Sequence, residues 1–229
     1  MFNEIRSGFN AALHQIEVVS NNMANAKTTG FKRSEAMFED LYASDLNGSE
    51  VDRGMAARVV ENKRSHVQGS MVQTDGTLDL AVNGRGMFML GPLPGSTDLA
   101  YTRDGSFSLT KDGDIISFDG RSLLDVNKEP IKVPMQDNEG RILAGMKIDY
   151  TGQILVSYGA GSESPLAQVG MAAFDNPAAL RSGGQGQFFE TVEASMFSNV
   201  GWQDRSAGFG RIESCLLYTS DAADDRSCV

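Results

Sequence analysis

Histidines and carboxylates are the side chains in this sequence that could act in catalysis or hold a metal ion. The two histidines, His14 and His66, are far apart, and neither has a cysteine or a second histidine at metal-ligand spacing. Asp112 and Asp114 match a fragment of a calcium-binding loop, but the rest of the spacing and the closing glutamate are missing. The pattern therefore predicts no metal site, and it predicts that these aspartates lie in turns.

A glycine pair, Gly84 and Gly86, follows one predicted strand and precedes another. A phosphate-binding loop needs a helix N-terminus after its glycines, so this pair predicts a tight turn instead. The sequence has no G-x-S-x-G motif, and no histidine follows Ser195. We therefore predict no catalytic residue and no cofactor. A structural or binding role, rather than an enzymatic one, is expected.

The composition excludes further classes of function. The 229 residues carry a formal net charge of −10 without a basic stripe, which predicts no binding to nucleic acid. No run of about 18 apolar residues occurs, so no membrane insertion is predicted. Glu4, Arg6 and His14 interrupt the N-terminal apolar pattern, so we expect no cleaved signal peptide. Cys215 and Cys228 are the only cysteines, which removes thiol catalysis and disulfides from the preceding residues.

The first 32 residues carry the periodicity of one helix face that packs along another helix, with apolar residues alternately three and four apart. We call this set of predicted interface residues the seam; it consists of Phe2, Ile5, Phe9, Ala12, Ile16, Val19 and Met23. The helix is expected to end between Asn25 and Gly30. Because an isolated helix of this length is marginal in water, the seam needs a partner. That partner is the protein's own core, a helix at the other terminus or another copy of the chain.

The remainder of the chain predicts a different architecture. Residues 31–46 predict a short helix or a return segment, residues 47–58 a polar connector, and Arg58–Val60 a weak strand. From Val67 onward, short alternating runs are separated by Asp-Gly pairs at 75–76, 104–105, 112–113 and 119–120, which is typical of antiparallel hairpins.

The predicted fold class is α+β: a long N-terminal amphipathic helix of the coiled-coil type, then an antiparallel, mainly β domain. No C-terminal helix that could act as its partner is predicted. The predicted divisions are a helical segment at 1–32, a connector at 33–66, a β-rich outer domain at 67–213 and a tail at 214–229.

Four stretches resemble signatures of the flagellar axial proteins, the rod and hook subunits of the bacterial flagellum. They are NNMANAKTTGFK at 21–32, LDLAVNGRGMF at 78–88, YTRDGSF at 101–107 and FDNPAALRSGGQGQFFET at 174–191. The residues that carry the first three matches are Asn21, Asn22, Ala24, Asn25, Thr28, Gly30, Phe31, Lys32, Leu78, Asp79, Ala81, Gly84, Gly86, Phe88, Tyr101, Thr102, Arg103, Gly105 and Phe107. The four stretches occur in the family's order, which makes the combined signal specific.

The resemblance implies a structural subunit of the flagellar basal-body rod, the axial tube that transmits motor torque for motility. It implies that the N-terminal helix pairs with a C-terminal helix and stacks with neighbouring subunits, while the β domain faces outward. The implied partners are other copies in a helical homopolymer, other flagellar axial proteins and the flagellar type III export apparatus. The implied location is the rod, where it crosses the periplasm, or the hook, reached by export without signal cleavage. Helix content is expected to rise on polymerisation.

Two alternatives remain open at this point. A short flagellar hook subunit is the alternative within the family. A secreted β-rich carbohydrate-binding or hydrolytic domain is the alternative from another class. The latter needs a carboxylate pair among Asp104, Asp112 and Asp119, or an aromatic platform around Trp202.

The end of the sequence departs from the family pattern. GFGRIES at 208–214 begins the expected motif, but CLLYTSDAADDRSCV follows in place of L-E-x-S-N-V-D and a long helix. This ending resembles translated sequencing-adapter read-through, so residues 214–229 are expected to be a non-native tail. A divergent native tail is the alternative.

Overall fold

The computed structural model describes residues 2–43, 53–65, 67–74, 76–93, 95, 97–194, 196–198 and 210–218. The chain divides into two compact units. The helical unit comprises residues 1–27, 32–67 and 222–229, and the β unit comprises residues 28–31 and 68–221. His66, Ser195 and Trp202, which the sequence analysis considered, lie outside the described residues.

The helical unit consists of one long helix and a two-stranded ribbon. Helix α1 spans Phe2–Ala24, and strands β1 (Ser34–Ala43) and β2 (Arg53–Arg64) pair antiparallel to form the ribbon. Helix α1 packs on both strands. After the helix ends, the backbone N–H of Asn25 donates to the Asn21 carbonyl at 3.1 Å. The predicted N-terminal helix is confirmed, although it ends before Gly30.

Residues 31–46 were expected to form a short helix or a return segment. The helix is wrong, because most of this stretch forms β1, a strand that packs on α1. Its charged side chains face opposite charges on β2: Glu35 lies opposite Lys63, and Glu39 lies opposite Arg58. The Arg58 Nη2 donates to Glu39 Oε2 at 2.7 Å. Cross-strand pairs of this kind favour strand pairing, but they are visible only when the partner strand is known. The weak strand expected at Arg58–Val60 lies within the longer β2.

The β unit contains fifteen strands among its described residues. In chain order they are β3 (Met71–Gln73), β4 (Leu80–Asn83), β5 (Met87–Leu90), β6 (Ala100–Thr102), β7 (Ser108–Leu109), β8 (Ile115–Ile116), β9 (Leu143–Ile148), β10 (Gln153–Tyr158), β11 (Ser164–Gln168), β12 (Met171–Phe174), β13 (Arg181–Gly184), β14 (Gln187–Phe189), β15 (Met196–Ser198), β16 (Arg211–Ser214) and β17 (Leu216–Tyr218). A single 3-10 turn spans Pro177–Ala179. The predicted mainly β, antiparallel character of this region is confirmed.

Every strand pairing in the β unit is antiparallel among the described residues. The largest sheet has six strands in the order β13-β14-β6-β5-β12-β15, and a second sheet has the order β11-β10-β9. Strands β16 and β17 pair with β4 and β3, and β7 pairs with β8. The sheets bury a core in which Phe88 meets Phe107 edge to face, with ring centroids 5.3 Å apart. Tyr101 meets Phe174 in the same way at 4.9 Å.

Five consecutive turns of the β unit share one hydrogen-bond pattern. In each turn, the backbone carbonyl of the first residue accepts a hydrogen bond from the N–H of the fourth residue, and the N–H of the first residue donates to the carbonyl of the fifth. At Asp137, the carbonyl accepts from the Gly140 N–H, and the N–H donates to the Arg141 carbonyl. The fourth residue has a positive φ and is Gly113, Gly120, Lys128, Gly140 or Gly152. This is the three-residue hairpin loop, in which glycine is favoured at the left-handed position. The hairpin turns expected at 112–113 and 119–120 are confirmed.

Other local predictions have mixed outcomes. Asp104-Gly105 does not form a hairpin turn: Gly105 is buried, and its carbonyl accepts a bond from the Leu80 N–H at 3.0 Å. The pair at 75–76 is only partly described. Gly84 and Gly86, where a tight turn was expected, lie in the short connection between β4 and β5, with φ of +110° and +130°. Residues 131–133 contribute an isolated bridge between Lys132 and Asp114.

Helix α1 is the one helix of more than three residues in the part of the chain that the structure describes. Its coiled-coil character is therefore not confirmed. Within the same residues, no helix combines the length and the apolarity needed to span a membrane. Of the predicted tail, residues 214–218 are described. Cys215 has a φ of +62° between β16 and β17, and β17 pairs with β3.

Candidate assembly interface

The seam of α1 lies exposed to solvent along its whole length. The exposed fraction is 90% at Phe2 and 51% at Val19, the lowest value among the six large apolar residues of the seam. Ala12 is also exposed. A contiguous apolar stripe at helical spacing is what a helix presents to another helix. Among the described residues, the seam therefore does not pack into the chain's own core.

The opposite face of α1 packs on the ribbon and is mainly polar. Only Ala11 and Val18 are buried apolar residues of the helix. The imidazole Nε2 of His14 lies 2.8 Å from Asn62 Oδ1 on β2. The Asn22 side chain bonds twice to the backbone of Ser34 on β1. The helix is thus turned with its more apolar face outward.

Backbone and lysine contacts hold the chain together just beyond the point where β1 begins and β2 ends. The buried side chain of Lys32 donates from Nζ to the Val67 carbonyl at 2.7 Å, and the Ser65 N–H donates to the Arg33 carbonyl at 3.0 Å. A buried ammonium group is costly unless it is hydrogen-bonded, so this lysine has a structural task. Lys32 was identified as part of a sequence motif, but the motif does not predict its hydrogen bond to Val67.

The segment Thr28–Phe31 belongs to the β unit and places Gly30 directly on a second motif. A Cβ added at Gly30 would lie 2.5 Å from the Asp104 N, and the φ of Gly30 is +68°. Both the close approach and the left-handed backbone require glycine here. In the same neighbourhood, Thr102 Oγ1 donates to the Gly186 carbonyl at 3.0 Å. The structure therefore brings together motif residues from 28–31, 101–107 and 174–191.

Residues of the 78–88 and 101–107 motifs bind each other as well. Arg103 is buried, and its Nη2 donates to the Gly84 carbonyl at 2.7 Å. The backbone N–H of Gly210 donates to the Arg85 carbonyl at 2.7 Å, beside Gly84. Asp79 forms an isolated bridge with Ser106, which aligns the two motifs. These family-motif residues are therefore contacts inside the β unit.

The remaining motif residues are placed as follows. Ala81, Phe88, Tyr101, Thr102 and Phe107 are buried, Leu78 and Phe31 are half-buried, Gly86 is buried in its turn, and Asn21, Ala24 and Thr28 are exposed. Asn25 donates from Nδ2 to the Asn21 carbonyl at 2.9 Å. Their positions indicate that most of them serve folding, whereas the seam is exposed.

The carboxylates considered for chemistry are occupied by turn and core contacts. Asp104 Oδ1 accepts bonds from the N–H and the hydroxyl of Ser106. Burial alone would raise the pKa of Asp119, but hydrogen bonds from Ser117, Gln187 and the Arg121 backbone, together with the Arg121 charge, hold that pKa below its usual range. No group of residues in the described ranges has the composition of a metal site.

Comparison with known proteins gives the family. A family model described as the flagellar hook protein FlgE/F/G D1 domain matches residues 81–156, and one described as flagella basal body rod protein matches residues 5–32. Flagellar basal-body rod protein FlgG of Buchnera aphidicola (subspecies Acyrthosiphon pisum) is 32% identical over 200 residues, which cover 81% of this chain and 72% of that protein. This chain belongs to the flagellar basal-body rod and hook protein family.

Similarity within the flagellar rod and hook family extends further along rod proteins than along a hook protein. FlgG of Agrobacterium fabrum is 30% identical over 231 residues, covering 94% of this chain and 82% of that protein. The flagellar hook protein FlgE of Salmonella typhimurium is 34% identical, but over 122 residues that cover 53% of this chain and 28% of that protein. The family resemblance drawn from the four motifs is confirmed, and the hook similarity is partial.

Proposed function

We propose that this chain is a structural subunit of the flagellar basal-body rod and that it has no enzymatic activity. The observation that carries the proposal is the exposed seam of α1, because an apolar stripe of seven residues facing water needs a partner helix. The family and the extended similarity to rod proteins support the rod over the hook. The short hook subunit remains the second candidate within the family.

In this proposal, the seam packs against helices of other copies and of other flagellar axial proteins. A contact between two different surfaces of identical subunits produces an open helical assembly when its rotation does not close into a ring, and the proposed tube is an assembly of this kind. The β unit has a buried core of its own. The ordering of α1 is completed during assembly, since only Ala11 and Val18 are buried on its inner face.

The proposal also includes the route to the rod. The chain is delivered by the flagellar export apparatus without cleavage of a signal peptide and is positioned where the rod crosses the periplasm. The net charge of −10 disfavours association before assembly, because like charges repel at a distance. These partners and this location rest on the family and on the charge.

Deletion of α1 tests the proposal directly. A variant that lacks residues 2–24 retains Thr28–Phe31, which pack in the β unit. We expect the variant to keep the thermal unfolding transition of the β unit, but to fail to form filaments and to fail to restore motility in cells that lack the native gene. A second variant weakens the seam and keeps the helix by replacing Ile5, Phe9 and Ile16, three of the seven seam residues, with serine, and it is also expected to assemble poorly. Filaments of normal stability from the deletion variant would refute a role for α1 in assembly.

A further inference from the structure

The side chain of Asn22 forms two hydrogen bonds to the backbone of Ser34, one donated and one accepted, as a neighbouring strand would. Asn22 Nδ2 donates to the Ser34 carbonyl at 2.8 Å, and the Ser34 N–H donates to Asn22 Oδ1 at 3.0 Å. An amide supplies one donor and one acceptor on the same plane, so it satisfies both backbone groups at once. This pairing also fixes the orientation of the amide. In the reverse orientation, the amide NH2 would face the Ser34 N–H and the amide oxygen would face the Ser34 carbonyl.

Packing alone does not fix the rotation of α1 at this point. A cleft of about 290 Å³ lies between the helix and β1, lined by Val18, Val19 and Asn22 on one side and by Arg33 to Ala36 on the other. Side chains that border a cleft lack the close contacts that specify one packing arrangement. The two hydrogen bonds of Asn22 therefore specify how the last turns of α1 lie on β1.

We infer that Asn22 is a positioning residue that turns α1 so that its polar face meets the ribbon and its seam faces outward. Val19 and Met23 of the seam lie one turn or less from Asn22, and both are more than half exposed. If the helix rotated toward the cleft, Val19 and Met23 would fill the cleft, and the last two residues of the seam would no longer be exposed. The link to assembly rests on the proposed function, whereas the positioning itself does not.

Amide hydrogen exchange on the full chain tests the positioning. In Asn22→Ala, both bonds are lost, and we expect the protection factor of the Ser34 amide to fall by about tenfold or more. In Asn22→Asp at pH 7, the carboxylate still accepts from the Ser34 N–H, but its second oxygen opposes the Ser34 carbonyl. Ser34 protection is then expected to lie between that of the wild type and that of Asn22→Ala.

The pH dependence of the aspartate variant separates positioning from a general effect on the helix. Toward pH of about 4, the carboxyl group gains a proton and can again donate to the Ser34 carbonyl, so protection of the α1 amides should rise. Asn21→Asp is the matched control: Asn21 is exposed in the same turn, and its Oδ1 accepts from Asn25, which a carboxylate still does. The control has the same unfavourable interaction with the helix dipole, so a smaller recovery is expected in it, and the excess recovery in Asn22→Asp reports the contact with Ser34. Equal protection of Ser34 in the wild type and Asn22→Ala, or identical pH profiles for the two aspartate variants, would overturn the positioning role.

Assembly is measured separately on the same variants. The critical concentration for filament formation should rise about tenfold in Asn22→Ala, although every seam residue is present. Lower Ser34 protection with an unchanged critical concentration would overturn the claim that Asn22 presents the seam. If the wild type forms no filaments, the proposed function fails, while the exchange results still decide the positioning role.

Discussion

Truncation of Phe9 to alanine isolates the contribution of the seam to assembly. Phe9 is 63% exposed, so the substitution removes few contacts within the free chain. Alanine has the highest helix propensity, so α1 should form at least as readily in Phe9→Ala as in the wild type. A loss of assembly in this variant therefore cannot be attributed to a loss of helix. The adjacent substitution Asn10→Ala is the matched control, because Asn10 is exposed and lies off the seam.

The magnitude follows from the apolar area that assembly would cover. A phenylalanine side chain carries roughly 200 Å² of surface, so truncating a side chain that is 63% exposed removes roughly 80 Å² of newly buried area after allowance for the alanine. At about 25 cal/mol per Å², this amounts to about 2 kcal/mol of association free energy. A change of about 2 kcal/mol corresponds to a rise of about 30-fold in the critical concentration.

Sedimentation of filaments over a series of subunit concentrations measures the critical concentration. Ile16 lies seven residues from Phe9, about 10 Å along the helix, so the effects of Phe9→Ala and Ile16→Ala should be nearly additive. The change in association free energy of the double variant is then expected to equal the sum of the two single changes. A critical concentration in Phe9→Ala that is no higher than in Asn10→Ala would refute the reasoning.

Three further predictions concern the β unit. Lys128→Gly should stabilise it by about 1 kcal/mol, because Lys128 holds the left-handed position that glycine holds in the four related turns; urea denaturation measures the gain. Gly30→Ala should destabilise it by about 2 kcal/mol or more in the same assay, since the new methyl group would overlap the backbone of Asp104; Gly95→Ala, at an exposed left-handed glycine with open space around it, is the control. The lowered pKa of Asp119 means that its ionised form stabilises the fold above its ordinary pKa of 3.8, and that this stabilisation is lost as the pH falls through the lower folded-state value. Asp119→Asn should therefore flatten the loss of stability between pH of about 4 and pH of about 2, and an unchanged acid limb in denaturation curves would contradict the assignment.

The helix and its seam were predictable because a single periodicity carries them. Phe2, Phe9, Ile16 and Met23 repeat every seven residues, and no partner is needed to recognise this spacing. The short apolar and polar alternation of the β unit was also visible. The turn at 112–113 could be found because glycine at a left-handed position leaves a local signal.

Predictions that depended on distant residues failed. Strand β1 was expected as a helix or return segment, because the charges of Glu35 and Glu39 acquire meaning only opposite Lys63 and Arg58. Turns at 125–129, 137–141 and 149–153 were missed, since their fourth residues are not preceded by aspartate. Local patterns report local structure, whereas strand pairing is decided between segments far apart in sequence.

At the candidate interface, too, local patterns were predicted and contacts between distant segments were not. The seam residues were identified correctly as one helix face, but the sequence left open whether that face would meet the chain's own core. The amide pairing of Asn22 with Ser34 was not foreseen, because an asparagine in a helix carries no sign of the strand that it binds. Gly30 was expected only as one limit of the helix end and as part of a sequence motif, yet its backbone lies against Asp104 in the β unit. Motif matching indicated which residues matter without indicating their contacts.

Chemical labelling at position 16 tests the central claim most directly. In an Ile16→Cys variant with Cys215 and Cys228 replaced by serine, the thiol reports whether the seam meets solvent. Ile16 is 61% exposed, so the free chain should react with a maleimide reagent at nearly the rate of an unfolded peptide. In assembled filaments we expect the reaction to slow by at least about tenfold, because helix–helix packing excludes the reagent. Equal labelling rates in the free chain and in filaments would contradict a seam that is bare before assembly and covered afterwards.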